Sequence, residues 1–436
     1  ELGDYFRATA PEPCFLLAAA GKSPLAPAAA ACVESTTEGA ARLADLRARV
    51  LAPRGSLSQS SVTALFGKEF RVSASRAETY NSCRFSYFMQ YGLRAKPRKK
   101  AGFAAPELGS FVHYILENVS REVKKLGGFS AVDMDLCRML CREYIKKYTD
   151  ITIGPAQNRS SRFMYLFVRL QYAVERIVED VAGELMNSDF EPLDFELHFD
   201  RGADMPPAEL KKGDMSLCVN GLVDRVDGWL HADTLYLRVA DYKTGKKGFS
   251  LSDVWYGLGI QMLVYLFVLA EHGEARYGKK IVPAGVLYSP ARDMILDMPK
   301  ESTDEQLEKE RTRLLRRSGI VLDDPKVIEA MEHSQSPKYI PVTFKNGEPS
   351  GSLITAERIG RLASYVKELL TSMGTQMKDG SINADPYDNG SMRYCSWCEY
   401  ASACRFDESR DTVRRLSKIS DADFWDRLER GGADGG

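Results

Sequence analysis

The feature that most constrains the fold is a pair of alternating apolar segments within residues 221–248, GLVDRVDGWLHADTLYLRVADYKTGKKG. Apolar residues at every second position are typical of β-strands with one buried face, and a polar break from His231 to Asp233 separates the two segments. The pattern predicts an antiparallel hairpin. The apolar row of its second strand ends in Asp241 and then Lys243, and a charge on a buried strand face is costly unless it is paired.

The hairpin predicts a metal site through its register. A turn at Ala232 and Asp233 sets Asp224 opposite Asp241, with Cβ atoms ~5 Å apart on one face. Ala-Asp is an unusual two-residue turn, so a longer loop with another register is the alternative. Two carboxylates that close repel unless a cation lies between them, and Mg²⁺ prefers oxygen ligands. Lys243, on the same face, is then placed to orient water or to stabilise charge on a phosphate.

A structural ion pair is the competing interpretation of the same residues. In that case Asp224 would pair with Arg225 or Lys243 and would hold no metal. The segment GLGIQMLVYLF adds an observation, because Gln261 is a lone amide in an apolar helix predicted over 253–270. Tyr265 follows one turn later on the same face. A buried amide without partners is costly, so Gln261 is expected to reach a polar site, although a satisfied core amide is the alternative.

The remaining periodicity predicts an α/β fold with helical additions. A capping box of Ser75 with Glu78 is expected to begin a helix that runs through Cys83 to Gly92. Residues 1–70 are rich in Ala, Ser and Pro and are predicted to be a linker or the tail of a preceding domain. The predicted elements are helices near 38–51, 60–66, 107–126, 133–148, 161–187, 303–317 and 355–378, and strands over 190–243 and near 281–289.

Composition narrows the class of function. The net charge of the 436 residues is −1, so a nucleic-acid partner would need local basic surface such as 94–100, 243–248 or 311–317. Each of these stretches could equally be a solvated charged face. No apolar stretch is long enough to cross a bilayer, which predicts no membrane partner. No secretory signal is visible and the first residue is Glu1, so we expect a piece of a longer protein.

Nine cysteines in a chain of this size favour a reducing, cytoplasmic setting in which clustered thiols bind metal. The segment YCSWCEYASACRFD holds a CxxCx5C triplet of Cys395, Cys398 and Cys404. A fourth ligand is needed, and Cys83 is available far upstream. The other cysteines are predicted to be plain buried thiols: Cys14, Cys32, Cys137, Cys141 and Cys218.

The segments GLVDRVD, ADYKTGK and QMLVY resemble the motifs of RecB-type nucleases in the PD-(D/E)xK superfamily. The resemblance implies a restriction-endonuclease-like core with a mixed central sheet. It also implies that Asp224 and Asp241 hold Mg²⁺ or Mn²⁺ and that Lys243 serves phosphodiester hydrolysis. The segment LGSFVHYILENV is similar to the family's upstream helix, so His113 is implied as a further metal ligand, together with the backbone carbonyl of Tyr242. Gln261 and Tyr265 are implied to orient the site or to contact DNA phosphates.

The split cysteine set, Cys83 with the C-terminal triplet, is similar to that of the iron–sulfur subgroup, notably the AddB-type nuclease domains of AddAB helicase–nucleases. This similarity implies a 4Fe–4S clasp that ties residue 83 to the end of a nuclease domain over 71–410, followed by a tail at 411–436. Zinc held by the same four thiolates is the alternative.

The resemblance further implies an exonuclease that cuts single-stranded DNA, on the 5′-ended strand, during double-strand break repair and recombination. No intact Walker motif is visible, so an ATP-driven motor would lie in a missing N-terminal part or in an AddA-like helicase–nuclease partner. Two other functions stay open: a stand-alone exonuclease of the CRISPR-associated type, and a DNA-binding scaffold that bears the cluster but has a silent active site.

Overall fold

The computed structural model describes residues 2–51, 55–96, 105–153, 161–245, 248–292, 298–299 and 302–431. Residues 97–100 and 246–247, which belong to two of the predicted basic stretches, lie outside the described residues. The N-terminal segment, predicted as a linker or tail, begins with four helices that pack around a small core of their own, which includes Phe15, Ala29 and Leu43. These helices are α1 (Leu2–Ala8), α2 (Pro11–Ala20), α3 (Ala26–Glu34) and α4 (Thr37–Leu51).

A mixed sheet forms the centre of the rest of the chain, as predicted. Its order is β1-β4-β5-β6-β7-β10, and β2 and β3 also pair with the long strand β4. The β1–β4, β5–β6 and β7–β10 pairs are parallel, and the other pairs of this sheet are antiparallel. The strands are β1 (Phe70–Ser73), β2 (Glu191–Phe199), β3 (Ala208–Lys212), β4 (Met215–His231), β5 (Thr234–Lys243), β6 (Lys280–Pro290), β7 (Ser318–Leu322), β8 (Val342–Lys345), β9 (Glu348–Gly351), β10 (Leu353–Ile354), β11 (Tyr387–Asp388) and β12 (Arg414–Arg415).

Helices cover both faces of this sheet. Their bounds are α5 (Gln59–Phe66), α6 (Ala74–Ser82), α7 (Arg84–Tyr87), α8 (Ala105–Lys125), α9 (Met134–Tyr148), α10 (Ser161–Met186), α11 (Leu251–Trp255), α12 (Gln261–Tyr277), α13 (Asp304–Leu315), α14 (Pro325–Met331), α15 (Ala356–Lys378), α16 (Ala401–Cys404) and α17 (Asp421–Glu429). Helices α12 and α15 share the main core with the sheet. Helices α8, α9 and α10 form a second core with Tyr242 and Ala291. Helix α17, in the segment predicted as a tail, buries Phe424 and Trp425 in the main core.

The predicted hairpin register is confirmed. Strand β4 pairs with β5 from Arg225 opposite Ala240 to His231 opposite Thr234. Ala232 and Asp233 form the two-residue turn with φ values of 50° and 60°. Positive φ at both turn residues gives the backbone twist that matches paired strands, so the longer loop considered as an alternative is wrong.

Two helix predictions need correction. The helix before Cys83 begins at Ala74 and is capped by Ser73, whose side chain accepts from the Arg76 N–H, so Ser75 with Glu78 is not the cap. This helix ends at Ser82, and Cys83 is extended, at φ −167° and ψ 120°, before α7 begins.

The single helix predicted over 253–270 is instead split into α11 and α12. Between them Gly257 and Gly259 take φ values of 72° and 66°, a region in which glycine has no steric penalty. Gln261 therefore stands at the first turn of α12 rather than in mid-helix. In the part of the chain that is described, no helix has both the length and the apolar character needed to cross a membrane.

Candidate active site

Three carboxylates lie in one row across neighbouring strands. The β2–β4 register sets Glu196 opposite Asp224, and the β4–β5 register, continued by one residue, sets Asp224 opposite Asp241. Directly opposed residues project from the same face of a sheet. The row lies where the β4–β5 ladder ends, at the end of β5 that holds Lys243, so the acids reach the border of the packed sheet.

Glu196 was missed by the sequence analysis. In PLDFELHF, residues 194, 196 and 198 are polar and alternate with apolar ones, which is typical of a solvent-facing strand side. The structure instead gives Glu196 a φ of 50°, a left-handed conformation that is uncommon for a residue other than glycine. Such strained residues cluster at functional sites. The strand holds three acids, Glu191, Asp194 and Glu196, so its sequence does not single out Glu196, and nothing local in it encodes the backbone angle.

His113 approaches the acidic row from α8. Its Nδ1 lies 3.5 Å from Asp224 Oδ1 and 3.9 Å from Glu196 Oε1. Its Nε2 lies 3.2 Å from the carbonyl oxygen of Tyr242. Ligand atoms of His113, Glu196 and Asp224 are all within 4.8 Å of one another, which makes them the only such group of three or more among the described residues. Two carboxylates, an imidazole and a nearby carbonyl suit a divalent cation such as Mg²⁺ or Mn²⁺.

Asp241 and Lys243 lie beside this group and are bonded to each other. Lys243 Nζ is 2.7 Å from Asp241 Oδ2 and 5.4 Å from the centre of the Tyr288 ring. Asp224 accepts a hydrogen bond from the Tyr242 N–H at 2.9 Å instead of pairing with a cation of the hairpin. The structure thus brings together the predicted residues His113, Asp224 and Tyr242, with Asp241 and Lys243 next to them. Among the described side chains, the structural ion pair of Asp224 with Arg225 or Lys243 is not formed.

The electrostatics show an excess of negative charge that is shared with one imidazole. Burial, and then the neighbouring Asp241, raises the pKa of Asp224 to about 7. Burial alone would lower the pKa of His113, but the hydrogen bond with Glu196 and the charge of Asp224 raise it to about 9. Without a cation, the proton on His113 therefore compensates the acids. Shifts of this kind in a cluster of opposed acids are typical of functional sites.

Gln261 and Tyr265 meet each other close to the acids. The Gln261 side-chain amide donates to the Tyr265 hydroxyl at 3.3 Å, and its backbone N–H bonds Glu78 Oε1 at 3.4 Å. The Tyr265 ring stacks on Phe199 at 5.6 Å, with 3° between the ring planes. Gly221 makes this packing possible, because a Cβ there would lie 2.2 Å from the Tyr265 ring. Gln261 therefore contacts Tyr265 rather than any of the three acids.

A network of buried charges lies under the site. Arg225 donates to the Tyr242 hydroxyl at 2.9 Å and to Asp227 Oδ2 at 3.0 Å. Arg238 joins Asp227 to Glu184, at 2.8 and 2.9 Å. Arg317 continues the network to α10, so the segment 311–317 is not simply a surface basic patch. The members of this buried network within the described chain, three cations and three anions, are Asp180, Glu184, Arg225, Asp227, Arg238 and Arg317.

The C-terminal cysteine segment packs against the turn that holds Cys83. The Ser86 hydroxyl lies 3.1 Å from the Tyr394 hydroxyl, although the two residues are 308 positions apart. Cys398 Sγ is 4.0 Å from Ser86 Oγ. The carboxylate of Asp385 accepts from the Arg84 N–H at 3.0 Å, which fixes the backbone next to Cys83. Cys83 and the triplet Cys395, Cys398 and Cys404 are therefore on touching segments, and we name this set the cysteine clasp.

The thiols of the clasp and the other cysteines differ in exposure. Burial raises the pKa of the Cys83 thiol to about 12, so only a strong electrophile such as a metal would deprotonate it at neutral pH. Among the five cysteines predicted as plain buried thiols, Cys32 is exposed, which corrects that prediction for one residue. The others are buried: Cys14, Cys137, Cys141 and Cys218.

Comparisons with known proteins agree with this geometry. The family model of the PD-(D/E)XK nuclease superfamily matches residues 71–405. An ATP-dependent helicase/deoxyribonuclease subunit from Ruminiclostridium cellulolyticum is 34% identical over 381 residues, which cover 85% of this chain and 33% of the relative. The protein of the same name from Clostridium acetobutylicum is 33% identical over 386 residues, covering 86% and 33%. The one from Acetivibrio thermocellus is 34% identical over 379 residues, covering 85% and 33%. The chain thus spans about a third of the length of these relatives.

Proposed function

Because this chain belongs to the PD-(D/E)XK nuclease superfamily, we propose that its acidic row and Lys243 form a Mg²⁺-dependent active site that hydrolyses phosphodiester bonds of DNA. The observation that supports this proposal best is the convergence of Glu196, Asp224 and His113 from three separate elements, within 4.8 Å of one another. Four buried or half-buried titratable groups, counting Asp241, are costly to assemble unless a cation balances them.

Each residue of the site would have a separate role in hydrolysis. His113, Glu196 and Asp224 would hold the ion, with Asp241 and the Tyr242 carbonyl as adjacent oxygen donors. When bound, a divalent ion offsets the charge that develops on the phosphate and makes water a better nucleophile. Lys243, held by Asp241, would donate a hydrogen bond to the attacking water or to a phosphate oxygen. Gln261 and Tyr265 would hold the DNA strand in place through contacts with its phosphates.

A matched pair of variants in the same hairpin tests this proposal. Asp241→Asn should abolish Mg²⁺-dependent cleavage of an end-labelled DNA strand. Asp233→Asn should leave it unchanged, because Asp233 lies in the exposed turn and Asn suits the positive φ found there. If Asp241→Asn cuts as fast as the wild type, the site is silent and the cluster-bearing scaffold becomes the better interpretation.

We further propose that the cysteine clasp holds a 4Fe–4S cluster. Four thiols are soft ligands that suit iron–sulfur clusters or zinc. The split arrangement, with Cys83 on the turn before α7 and three thiols near the chain end, is the one that the resemblance to the iron–sulfur subgroup implies. The role of the cluster would be to tie the chain end to α6 and α7.

The names of the relatives suggest the larger assembly. Each is named as one subunit of an ATP-dependent helicase/deoxyribonuclease, so we propose that this chain is the nuclease part of an AddB-type protein with an AddA-like partner. Its substrate would be single-stranded DNA, with the 5′-ended strand as target, released during double-strand break repair and recombination in the reducing cytoplasm. A strand labelled at its 5′ end and one labelled at its 3′ end test polarity, because only the first should yield short labelled products from the start of the reaction.

A further inference from the structure

Helix α10 presents an exposed stripe of aromatic and basic side chains. Tyr165 and Tyr172 are 64% and 60% exposed, and Val168 is 41% exposed. Arg169 and Arg176 are also exposed. Each of these five positions is three or four residues from at least one other of them, so they lie on one face of the helix, opposite the buried residues of the second core. We name them the α10 stripe.

The stripe is unusual for a surface that only faces water. Two large aromatic rings within two helical turns leave apolar area exposed in the part of the chain that is described. The acids on the neighbouring face of α10 are directed toward α9. Glu175 receives two bonds from Arg142, at 3.0 and 3.1 Å, and Glu179 is bonded by Arg138 at 2.6 Å.

The stripe lies on a helix that packs against the helix carrying His113. Phe167, on the buried side of the same turn, contacts Phe111 with ring centres 5.9 Å apart. Phe111 lies on α8 two positions before His113, the imidazole of the metal group. The metal group and the stripe are therefore carried by neighbouring packed helices, with the stripe on the outer face of α10.

We propose that the α10 stripe is a path for single-stranded DNA, an inference that rests on the proposed nuclease function. Bases would stack on Tyr165 and Tyr172, and phosphates would meet Arg169 and Arg176. A rise of 1.5 Å per residue places the two tyrosines about 10 Å apart, which is about three stacked base steps of ~3.4 Å. Each tyrosine of the stripe lies beside an arginine, so a stacking ring is paired with a cation for the adjacent phosphate. Tyr and Arg are also enriched at protein interfaces, so binding of a protein partner is treated as an outcome of the test.

Binding of a labelled thirty-nucleotide oligothymidine, measured by fluorescence anisotropy with Ca²⁺ in place of Mg²⁺, tests the path. The double variant Tyr165→Ala/Tyr172→Ala should bind at least tenfold more weakly, since stacking on each aromatic is lost. The conservative Tyr165→Phe/Tyr172→Phe variant keeps both rings and should bind the oligonucleotide with the wild-type affinity. The matched control is Tyr5→Ala/Phe6→Ala on α1, where the side chains are 63% and 66% exposed, and it should bind as the wild type does.

Charge is tested separately from stacking. Arg169→Gln/Arg176→Gln should reduce the slope of log Kd against log salt by about 1.4, because each phosphate contact on a single strand contributes ~0.7. Unchanged circular dichroism and unfolding temperature would show that the variants fold.

Cleavage of a small chromogenic phosphodiester separates this inference from the proposed function. Stripe variants should hydrolyse it at the wild-type rate, because it does not reach α10. If the wild type hydrolyses neither this compound nor DNA, the nuclease proposal fails, whatever the binding data show. If the wild type cuts DNA while the Tyr165→Ala/Tyr172→Ala protein binds the oligonucleotide normally, the path is overturned. Loss of a protein partner alone in that variant would overturn it too, and would assign the stripe to that partner.

Discussion

The Tyr242 hydroxyl accepts a hydrogen bond from Arg225 at 2.9 Å in the buried interior. The backbone of Tyr242 faces the other way, because its N–H bonds Asp224 and its carbonyl lies near His113. One residue therefore joins the buried charge network to the candidate active site. The network holds the end of β5, which carries Asp241 and Lys243 beside the metal group.

This connection predicts a large difference between two substitutions. Arg225→Met should destabilise the fold by about 3–5 kcal/mol, because the buried Asp227 loses a cation and is left partly uncompensated. Tyr242→Phe removes one neutral hydrogen-bond acceptor and should cost about 1–2 kcal/mol. Urea unfolding measures both. An exposed control, Arg361→Met, breaks only a surface i,i+4 pair with Glu357 and should cost less than about 1 kcal/mol. Equal effects of Arg225→Met and Arg361→Met would contradict the prediction.

A second prediction concerns the strained acid. Glu196→Gln keeps the shape of the side chain but removes its charge, so Mn²⁺ affinity by calorimetry should fall at least tenfold and cleavage should fall with it. Glu196→Gly also removes the ligand, but glycine takes a φ of 50° freely, so its unfolding free energy should not fall below that of Glu196→Gln. The control Glu348→Gln, on β9 and away from the site, should change neither quantity. Normal metal affinity in both position-196 variants would remove Glu196 from the site.

Sequence reasoning reached part of this site for identifiable reasons. The opposition of Asp224 and Asp241 follows from strand periodicity and a two-residue turn, which are local rules. Glu196 could not be found that way, because its role depends on a third strand and on a backbone angle that the tertiary structure imposes. The break before Gln261 was missed for a similar reason, since its apolar flanks are equally compatible with one continuous helix.

A third prediction concerns pH in the metal-free protein. The pKa of Asp224 is raised to about 7 from an ordinary 3.8, so its folded form binds a proton more tightly than the unfolded chain does. The stability from this group is complete below about pH 4 and is lost as pH rises toward 7. The pKa of His113 is raised to about 9 from 6.5, so its contribution is complete below about pH 6.5 and is lost as pH rises through 9. Because both contributions are lost as pH rises, the free energy of unfolding of the metal-free protein should decrease from pH 4 to pH 9.

Metal binding should offset this loss of stability at higher pH, because the ion takes the place of the protons on Asp224 and His113. The rise in unfolding temperature on adding Mg²⁺ should be small at pH 5.5 and should grow toward pH 8.5. The variant Asp224→Asn controls for the other titrating groups. Its rise in unfolding temperature on adding Mg²⁺ should be smaller than that of the wild type at every pH. A Mg²⁺-induced rise that is the same at pH 5.5 and 8.5 in the wild type would show that these protons are not linked to the ion.

The last prediction concerns the cysteine clasp. Protein purified without oxygen should be brown and contain about four iron atoms per chain, because four thiolates hold a 4Fe–4S cluster. Cys398→Ser should lose both colour and iron, whereas Cys137→Ala, a buried thiol of α9 outside the clasp, should keep both. The clasp closes a very long loop, so loss of the cluster should also expose the segment after Ser381 to protease while the central sheet stays protected. A colourless protein that contains one zinc would keep the clasp but replace its cluster. The prediction fails if the protein contains neither iron nor zinc and if Cys398→Ser resists protease as well as the wild type does. In that case the contact between Ser86 and Tyr394 is packing without a bound metal.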